Sequence, residues 1–282
     1  MTKHVEVCLS FDFDAMSVWL GTFGSTSPSA ISRGEFGRVG TERLLAMLRQ
    51  WGIPATWFIP GHTIDTYPEL VRRIADEGHE IGHHGYCHEN PIGLSLEDEQ
   101  RVLDKGIESI RRVTGRAPLG YRSPAWDLSP HSLKLLLERG FHYDSSLMGN
   151  DFTPYYCRIG DQARKDGPYV FGQEIAMVEM PVTWGLDDFP PFEWVWTGNG
   201  INPGLSAPSA VYEIWSGDFD YLYDRLEEGV FCLTMHPQVI GRGHRLLMLE
   251  RLVDHIKGRD GISFRTMAGV ADDWSRKNPR IK

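Results

Sequence analysis

Residues 78–91 read GHEIGHHGYCHENP and contain two overlapping histidine spacings that are each typical of a metal site. In the first, residues 79–83 read H-E-x-x-H, which on a helix would present two zinc ligands with Glu80 as a general base. In the second, residues 84–88 read H-x-x-x-H, which provides two ligands and still requires a carboxylate. The first interpretation predicts a helical zinc protease, and the second predicts a different fold and chemistry.

The glycines of this segment argue against a helix. Gly78 is typical of the end of the preceding helical stretch, and the glycines that follow it would each cost a helix interior about 1 kcal/mol relative to alanine. We therefore predict a short strand over residues 79–85, in which Glu80 loses the geometry of a base. His84 and His88 then lie at the C-terminal end of the strand, where their spacing lets both imidazoles converge on one ion.

Apolar, strand-like segments alternate with amphipathic helical segments on both sides of this stretch. This alternation predicts parallel strands packed against helices, and we expect an α/β fold in the form of an irregular (β/α) barrel. In such barrels the chemistry lies at the C-terminal ends of the strands. The predicted strands include HVEVCLSFDF, PATWFIPG, PLGYRSP and VFCLTMHP, and the predicted helices include TERLLAMLRQWG, YPELVRRIADEG and HRLLMLERLVDHIKG.

The missing carboxylate is present in the segment SFDFDA, at the end of the first predicted strand. Asp12 and Asp14 are two residues apart, so both side chains point to the same face of the strand. Two adjacent acids repel each other unless a cation or a proton relieves them, which favours a metal ligand beside a base. Without the histidines, the same pair could equally cap neighbouring loops.

Four separated motifs, SFDFDA, HGYCHENP, GYRSPAW and LTMHP, occur in this order and resemble those of the polysaccharide deacetylase superfamily. This superfamily is also called carbohydrate esterase family 4 or the NodB-homology domain, and the resemblance covers most of the chain. It implies a barrel of the NodB type with a metal centre formed by Asp14, His84 and His88. Because all three ligands are present, we expect Zn²⁺ or another divalent metal ion as the cofactor.

The resemblance also implies three catalytic residues. Asp12 is the expected base, Arg122 orients that base, and His236 protonates the leaving nitrogen. A divalent ion with three protein ligands keeps a position for water and polarises the carbonyl group under attack. Either Asp187 or Asp188, in the segment GLDDFPP, is expected to orient His236, and the sequence does not distinguish between them.

Composition and charge narrow the range of partners. The 282 residues carry a formal net charge of -9, so the chain lacks the basic face that nucleic acids or anionic membranes require. No signal-like or membrane-spanning apolar run is present in the sequence, and its four cysteines form no C-x-x-C pair. We expect a cytoplasmic protein that binds a small-molecule substrate and has no nucleic-acid or membrane partner.

The segment 183–216 is rich in Trp, Pro and Gly and has little periodicity. Within a single catalytic domain that covers residues 1–282, a long aromatic insertion is typical of a lid or substrate wall. An ordered surface excursion fits the same composition. We expect the insertion to cover the metal site from one side and the protein to be a homo-oligomer, and His62 is a further candidate for the pocket wall.

Departures from the family pattern determine the expected substrate. Members that act on chitin or peptidoglycan usually carry a T-F-D-D-G-like first motif and leave an open groove, whereas this chain has SFDFDA and a Trp-rich insertion. These features are similar to a cytoplasmic branch of the superfamily, in which some members are peptidoglycan-deacetylase-like and others hydrolyse cyclic amides such as imides or allantoin. We therefore expect a metal-dependent hydrolase of a small cyclic imide or amide. The alternatives are an N-deacetylase of acetylamino sugars or peptidoglycan-type polysaccharide, and an inactive ligand-binding scaffold.

Overall fold

The structure is a computed structural model that describes residues 3–197 and 200–280. The strands are β1 (His4–Asp12), β2 (Thr56–Ile59), β3 (Glu80–His83), β4 (Gly120–Tyr121), β5 (Tyr143–Asp144), β6 (Tyr155–Ile159), β7 (Gln173–Glu179), β8 (Val195–Thr197), β9 (Gly200–Asn202), β10 (Glu228–Met235) and β11 (Ile262–Phe264). The helices are α1 (Pro28–Trp51), α2 (Gly61–Thr66), α3 (Pro68–Asp76), α4 (Leu96–Thr114), α5 (Ser132–Glu138), α6 (Phe189–Phe192), α7 (Pro208–Arg225), α8 (Pro237–Ile240), α9 (Gly243–Lys257) and α10 (Met267–Lys277).

Nine of these strands form one curled sheet in the order β10-β1-β2-β3-β4-β5-β7-β6, with β11 paired to β1. The pairings are parallel except between β6 and β7, which are antiparallel. Parallel strands joined by helices place their C-terminal ends at one edge of the sheet. The predicted irregular (β/α) barrel is thus confirmed, in the form of a mostly parallel half-barrel.

The first strand determines where the two acids lie. β1 is buried along almost its whole length, including its polar residues Glu6, Ser10 and Asp12. Phe11 and Phe13 pack into the main hydrophobic core, and the ring of Phe11 lies 4.6 Å from that of Trp57 between centroids. Asp12 and Asp14 alternate with these rings and are therefore held at the C-terminal end of the strand, on the other face.

The histidine-rich segment forms a strand and not a helix. α3 ends at Asp76, and Gly78 follows with φ of +87°, a left-handed conformation that glycine adopts without a steric penalty. β3 then pairs in parallel with β2, with Glu80 opposite Thr56. The helical geometry of an H-E-x-x-H protease site is absent from these described residues, and the strand prediction is confirmed.

The aromatic insertion predicted over residues 183–216 is only partly a loop. It contains α6 and the β8–β9 hairpin, and its last part is the first half of α7. Trp215 is fully buried in the core, and its Nε1 atom donates a hydrogen bond to the carbonyl of Gly185 over 3.1 Å. Trp196, in contrast, is 75% exposed. None of the described helices is long and apolar enough to cross a membrane.

Candidate active site

The six residues predicted for the site lie together at the C-terminal edge of the sheet. Each residue either ends a strand or follows one within a few residues, from β1, β3, β4 and β10. All six side chains are buried, so the polypeptide fixes their positions. They are Asp12, Asp14, His84, His88, Arg122 and His236.

Asp14, His84 and His88, here called the metal centre, present one ligand atom each within 4.8 Å of one another. The Nε2 atom of His84 lies 3.5 Å from Oδ1 of Asp14, and that of His88 lies 3.7 Å from Oδ2. Oδ1 of Asp14 is buried and has no hydrogen-bond partner among the described residues. Two imidazoles and a carboxylate with an unsatisfied oxygen fit the ligand set of a divalent metal ion.

Burial shifts the pKa values of all three groups towards their neutral forms. It raises the pKa of Asp14 well above its ordinary value, because the charged carboxylate has lost its water. It lowers the pKa of His84 to about 3 and that of His88 well below its ordinary value. The imidazoles are therefore neutral, as metal ligands must be, and a bound cation would favour the charged form of the Asp14 carboxylate.

The second nitrogen of each ligand histidine is fixed by a neighbour. Nδ1 of His84 donates to the carbonyl of Arg122 over 2.7 Å. The Thr22 hydroxyl donates to the carbonyl of His88 and lies 2.5 Å from Nδ1 of the same residue, from which it accepts. Both contacts leave Nε2 without a proton and turned towards Asp14. Thr22 was not identified from the sequence, because it belongs to an irregular π-helical turn over Val18–Thr22.

Asp12 is held by Arg122 on one side only. Nη1 of Arg122 donates to Oδ1 of Asp12 over 2.7 Å and to the Ser10 hydroxyl over 2.9 Å. The other guanidinium nitrogens donate to the carbonyl and the hydroxyl of Ser145, so the arginine cannot turn. The second oxygen of Asp12 lies 3.8 Å from Nε2 of His84, beside the metal centre. This oxygen is in a position to accept a proton from a group bound there.

His236 is oriented by Asp188 and not by Asp187. Nδ1 of His236 donates to Oδ1 of Asp188 over 2.6 Å, and its backbone N–H also donates to that carboxylate. Nε2 lies 3.7 Å from Oδ2 of Asp14 and so faces the metal centre. Burial alone would lower the pKa of His236, but the carboxylates of Asp187 and Asp188 outweigh burial and raise it well above its ordinary value. The ring is thereby held as a proton donor.

The other two histidines of the quoted segment have structural partners. Nε2 of His83 donates to the carbonyl of Leu103 over 3.0 Å, and its Nδ1 accepts from the N–H of Gly85 over 3.2 Å. Nδ1 of His79 accepts from the backbone N–H of Ala55 over 3.2 Å. His83 therefore has no ring nitrogen left for a metal ion, which removes the H-E-x-x-H interpretation.

His62 does not line the cavity and is instead linked by hydrogen bonds to the backbone of Asp14. Its Nδ1 atom lies 3.0 Å from the Ser17 hydroxyl, which in turn lies 2.8 Å from the Thr63 hydroxyl. Thr63 donates to the carbonyl of Asp14 over 2.6 Å. His62 is not among the described residues that line the cavity.

A cavity of about 210 Å³ opens beside the metal centre. Four aromatic side chains form its apolar walls, and the rings of Trp126 and Trp184 pack with centroids 4.4 Å apart. Trp184 and Phe189 come from the aromatic insertion, so the start of that segment forms part of the cavity wall. The described residues of the β8–β9 hairpin do not line the cavity. The remaining two walls, Phe23 and Trp126, were not predicted.

Comparison with known proteins gives a consistent family relationship. Residues 18–143 match the family model described as polysaccharide deacetylase. The chain is 42% identical over 294 residues to a peptidoglycan deacetylase of Helicobacter pylori, with 100% of both chains covered. It is 34% identical over 278 residues to the peptidoglycan deacetylase-like protein FGM2 of Gibberella zeae, covering 90% of this chain and 81% of that protein.

Solved structures agree with this relationship. A protein from Mycobacterium smegmatis described as a polysaccharide deacetylase superposes with a TM-score of 0.84 at 34% identity, covering 100% of this chain and 94% of the other. The Puue allantoinase superposes with a TM-score of 0.80 at 20% identity, covering 99% and 93%. The second likeness concerns the fold alone.

Proposed function

Because the chain belongs to the polysaccharide deacetylase family and is thus a hydrolase of carbon–nitrogen amide bonds, we propose that it removes the acetyl group from N-acetylated amino sugars of the peptidoglycan type. This was the alternative to a cyclic imide in our sequence-based expectation. The full-length relationship to a peptidoglycan deacetylase supports it, and the comparisons give no support to the imide.

The observation that carries the proposal is the convergence of three functional units on one cavity. They are the metal centre, the Asp12–Arg122 pair and the His236–Asp188 pair. A complete set of ligands, base and acid argues against an inactive binding scaffold, which would have no need of all three.

In the proposed reaction, the metal centre would hold a divalent ion, which supplies Lewis acidity towards the carbonyl group and acidifies water. Asp12 accepts a proton from the attacking water through the oxygen that Arg122 leaves free. His236 then donates its Nε2 proton to the leaving nitrogen as the carbon–nitrogen bond breaks, while Asp188 keeps the ring in place. The products are acetate and a free amine.

We propose zinc as the ion, because two histidines and one carboxylate are a common ligand set of catalytic zinc sites. A single catalytic domain over residues 1–282 and a homo-oligomeric state remain predictions. Elemental analysis of the purified protein would identify the ion.

A small cyclic imide or amide is the second candidate substrate, and the size of the cavity favours it. Pockets for drug-sized ligands commonly measure about 300–1,000 Å³, whereas this cavity measures about 210 Å³. A flat ring would fit against aromatic walls such as those of Trp126 and Trp184. A sugar polymer would have to place only its acetamido group and the adjoining ring atoms inside.

One parallel assay distinguishes the two functions. The zinc-loaded protein is incubated with acetylated chito-oligosaccharides and muropeptides, and separately with succinimide, glutarimide, dihydrouracil and allantoin. Release of acetate without ring opening supports the deacetylase. Ring opening without release of acetate would transfer the assignment to the imide hydrolase, and Asp12→Asn serves as the inactive control in both arms.

A further inference from the structure

Asp187 is a buried carboxyl group in the cavity wall that the proposed reaction does not use. It is 3% exposed and lies between Trp184 and Phe189, which also line the cavity. Its Oδ1 atom accepts a hydrogen bond from the backbone N–H of Phe189 over 2.7 Å. A buried carboxylate accommodates several donors, so this single backbone contact leaves acceptor capacity facing the cavity.

The other polar side chains among the described residues that line the cavity already have a partner or a proposed role. Thr22 is bonded to His88, and the Ser123 hydroxyl donates to the carbonyl of Asp127. The remainder belong to the metal centre and to the base and acid: Asp12, Asp14, His84, His88 and His236. Among the described residues, Asp187 is therefore the carboxyl group in this wall that is available to accept a hydrogen bond from a substrate.

Asp187 is not required to hold His236. Asp188 makes the 2.6 Å bond to Nδ1 and also accepts from the backbone N–H, whereas Oδ1 of Asp187 lies 3.7 Å from Nδ1, beyond hydrogen-bond distance. Burial raises the pKa of Asp187 to about 7, because its charge is held away from water. A donor brought in by the substrate would offset that loss of solvation.

The position of Asp187 indicates which part of the substrate it meets. His236 donates its proton to the leaving nitrogen, so the space beside its ring is the nitrogen side of the scissile bond. Oδ1 of Asp187 lies 3.7 Å from Nδ1 of the same ring, and Asp187 and His236 line the same cavity. Secondary amides such as acetylamino sugars carry an N–H group there, as do cyclic imides, and tertiary amides do not.

We propose that Asp187 is a specificity-determining residue that accepts a hydrogen bond from the N–H group of the scissile amide, so that the site selects secondary amides and imides over their N-alkylated forms. This inference rests on the proposed function. A site built to bond a substrate N–H group rejects analogues that lack it, because its own buried group is then left unpaired.

The test compares Asp187→Asn with the matched neighbour Asp188→Asn. In Asp187→Asn, the amide oxygen can keep the bond from the Phe189 N–H, while an NH₂ group replaces the oxygen available to the substrate. The probes are the methyl glycoside of N-acetylglucosamine with its N-methyl derivative, and succinimide with N-methylsuccinimide. The measured quantity is the ratio of kcat/KM between the N–H and the N-methyl compound, with competitive inhibition constants used where an N-methyl compound is not hydrolysed.

We expect this ratio to fall by at least about tenfold in Asp187→Asn, because the variant no longer gains from the N–H group. Asp188→Asn should lower kcat for both compounds and leave the ratio unchanged, since it acts through His236. Metal content and urea unfolding of both variants show that they are folded.

An unchanged ratio in Asp187→Asn, with a shifted pH profile of kcat/KM, would assign Asp187 to the electrostatics of His236 and overturn the proposal. An equal fall in both variants would overturn it as well. If the wild-type protein hydrolyses neither N–H probe, the proposed function fails. In that case, calorimetry gives the affinities of the zinc-loaded wild type and of Asp187→Asn for the same probe pairs. The ratio of these affinities then tests the preference for the N–H compound without hydrolysis.

Discussion

Nη1 of Arg122 donates to Oδ1 of Asp12 over 2.7 Å, and both side chains are buried at the C-terminal edge of the sheet. Removing one member of such a pair leaves the other charge without compensation. We predict that Arg122→Met lowers the free energy of unfolding by about 3–5 kcal/mol. The double variant Asp12→Asn/Arg122→Met should lose less than the sum of the two single losses, as measured by urea unfolding. Additive losses would show that the two residues do not interact.

Removal of either ligand histidine should abolish metal retention. We expect roughly one ion per chain in the wild-type protein and almost none in His84→Ala or His88→Ala, because two ligands hold a divalent ion poorly. His79→Ala is the control, since its ring accepts from the backbone of Ala55. Elemental analysis after gel filtration gives the stoichiometry, and metal loss from His79→Ala as well would contradict the assigned ligands.

Because Oδ1 of Asp14 has no hydrogen-bond partner among the described residues, we predict that replacing this residue raises the stability of the metal-free protein and abolishes metal binding. In Asp14→Asn, an NH₂ group at that position could donate to Nε2 of His84, so the metal-free variant should be more stable than the metal-free wild type by about 1–2 kcal/mol. Added zinc should raise the Tm of the wild type and not that of the variant, because binding stabilises only a protein that binds. A Tm rise of equal size in both proteins would show that the ion does not need Asp14 as a ligand.

Trp184 should contribute to substrate binding, and Trp196 should not. Trp184 lines the cavity and packs on Trp126, whereas Trp196 projects from the β8–β9 hairpin. We predict that Trp184→Ala raises KM roughly tenfold, equivalent to about 1.4 kcal/mol, without loss of metal. Trp196→Ala should leave KM and kcat unchanged. Steady-state kinetics of the two variants on the same substrate provide the comparison. An equal rise in KM in both variants would instead support a lid formed by the whole insertion.

Stability should fall as the pH rises through the titration of the buried acids Asp144 and Glu179. Burial raises the pKa of Asp144 to about 6 and that of Glu179 well above its ordinary value. The folded state therefore keeps protons that the unfolded chain releases at pH ~4, so this contribution is complete below about pH 4 and is lost as the pH rises through about 6 and above.

Glu179→Gln tests this dependence, because the amide resembles the protonated acid. Its oxygen can keep the bonds from the N–H groups of Ser146 and Leu147, and its NH₂ group can donate to Asp144. We expect similar unfolding free energies for variant and wild type near pH 5 and a gain of about 1–2 kcal/mol for the variant near pH 8. Glu174→Gln, at an exposed position on the same strand, should show no such divergence in urea unfolding.

The convergence of the predicted residues follows from parallel topology. Asp12 ends one strand, with Asp14 two residues beyond it, and His84 follows another strand. Parallel strands bring such positions to a common edge. Glycine propensities were enough to reject the helix over residues 79–83. The family resemblance supplied the remaining residues, Arg122 and His236, which no local pattern would single out.

The unpredicted parts of the site depend on irregular backbone. Trp126 enters the cavity wall from a turn in which it has φ of +52° and Ala125 has φ of +55°, a conformation that tertiary contacts impose. Thr22 lies in a π-helical turn for the same reason. Asp187 and Asp188 could not be told apart because only the pairing of this segment with Thr234 determines which carboxylate reaches His236.

The end of the aromatic insertion overlaps α7, and the sequence contains the signal of that helix. Val211, Trp215, Phe219 and Leu222 are spaced by four, four and three residues and are all buried on one face of α7. The abundance of Trp, Pro and Gly in residues 183–216 obscured this helical period, since composition does not report spacing.

The pairing of β1 with β10 also has a consequence for biosynthesis. These neighbouring strands come from opposite ends of the chain and are in register from His4 and Glu228 to Phe11 and Met235. A nascent chain still on the ribosome therefore exposes one edge of β1 until β10 has left the exit tunnel. His236 follows β10 directly, so the pairing that covers this edge of β1 is also the step that brings His236 to the site.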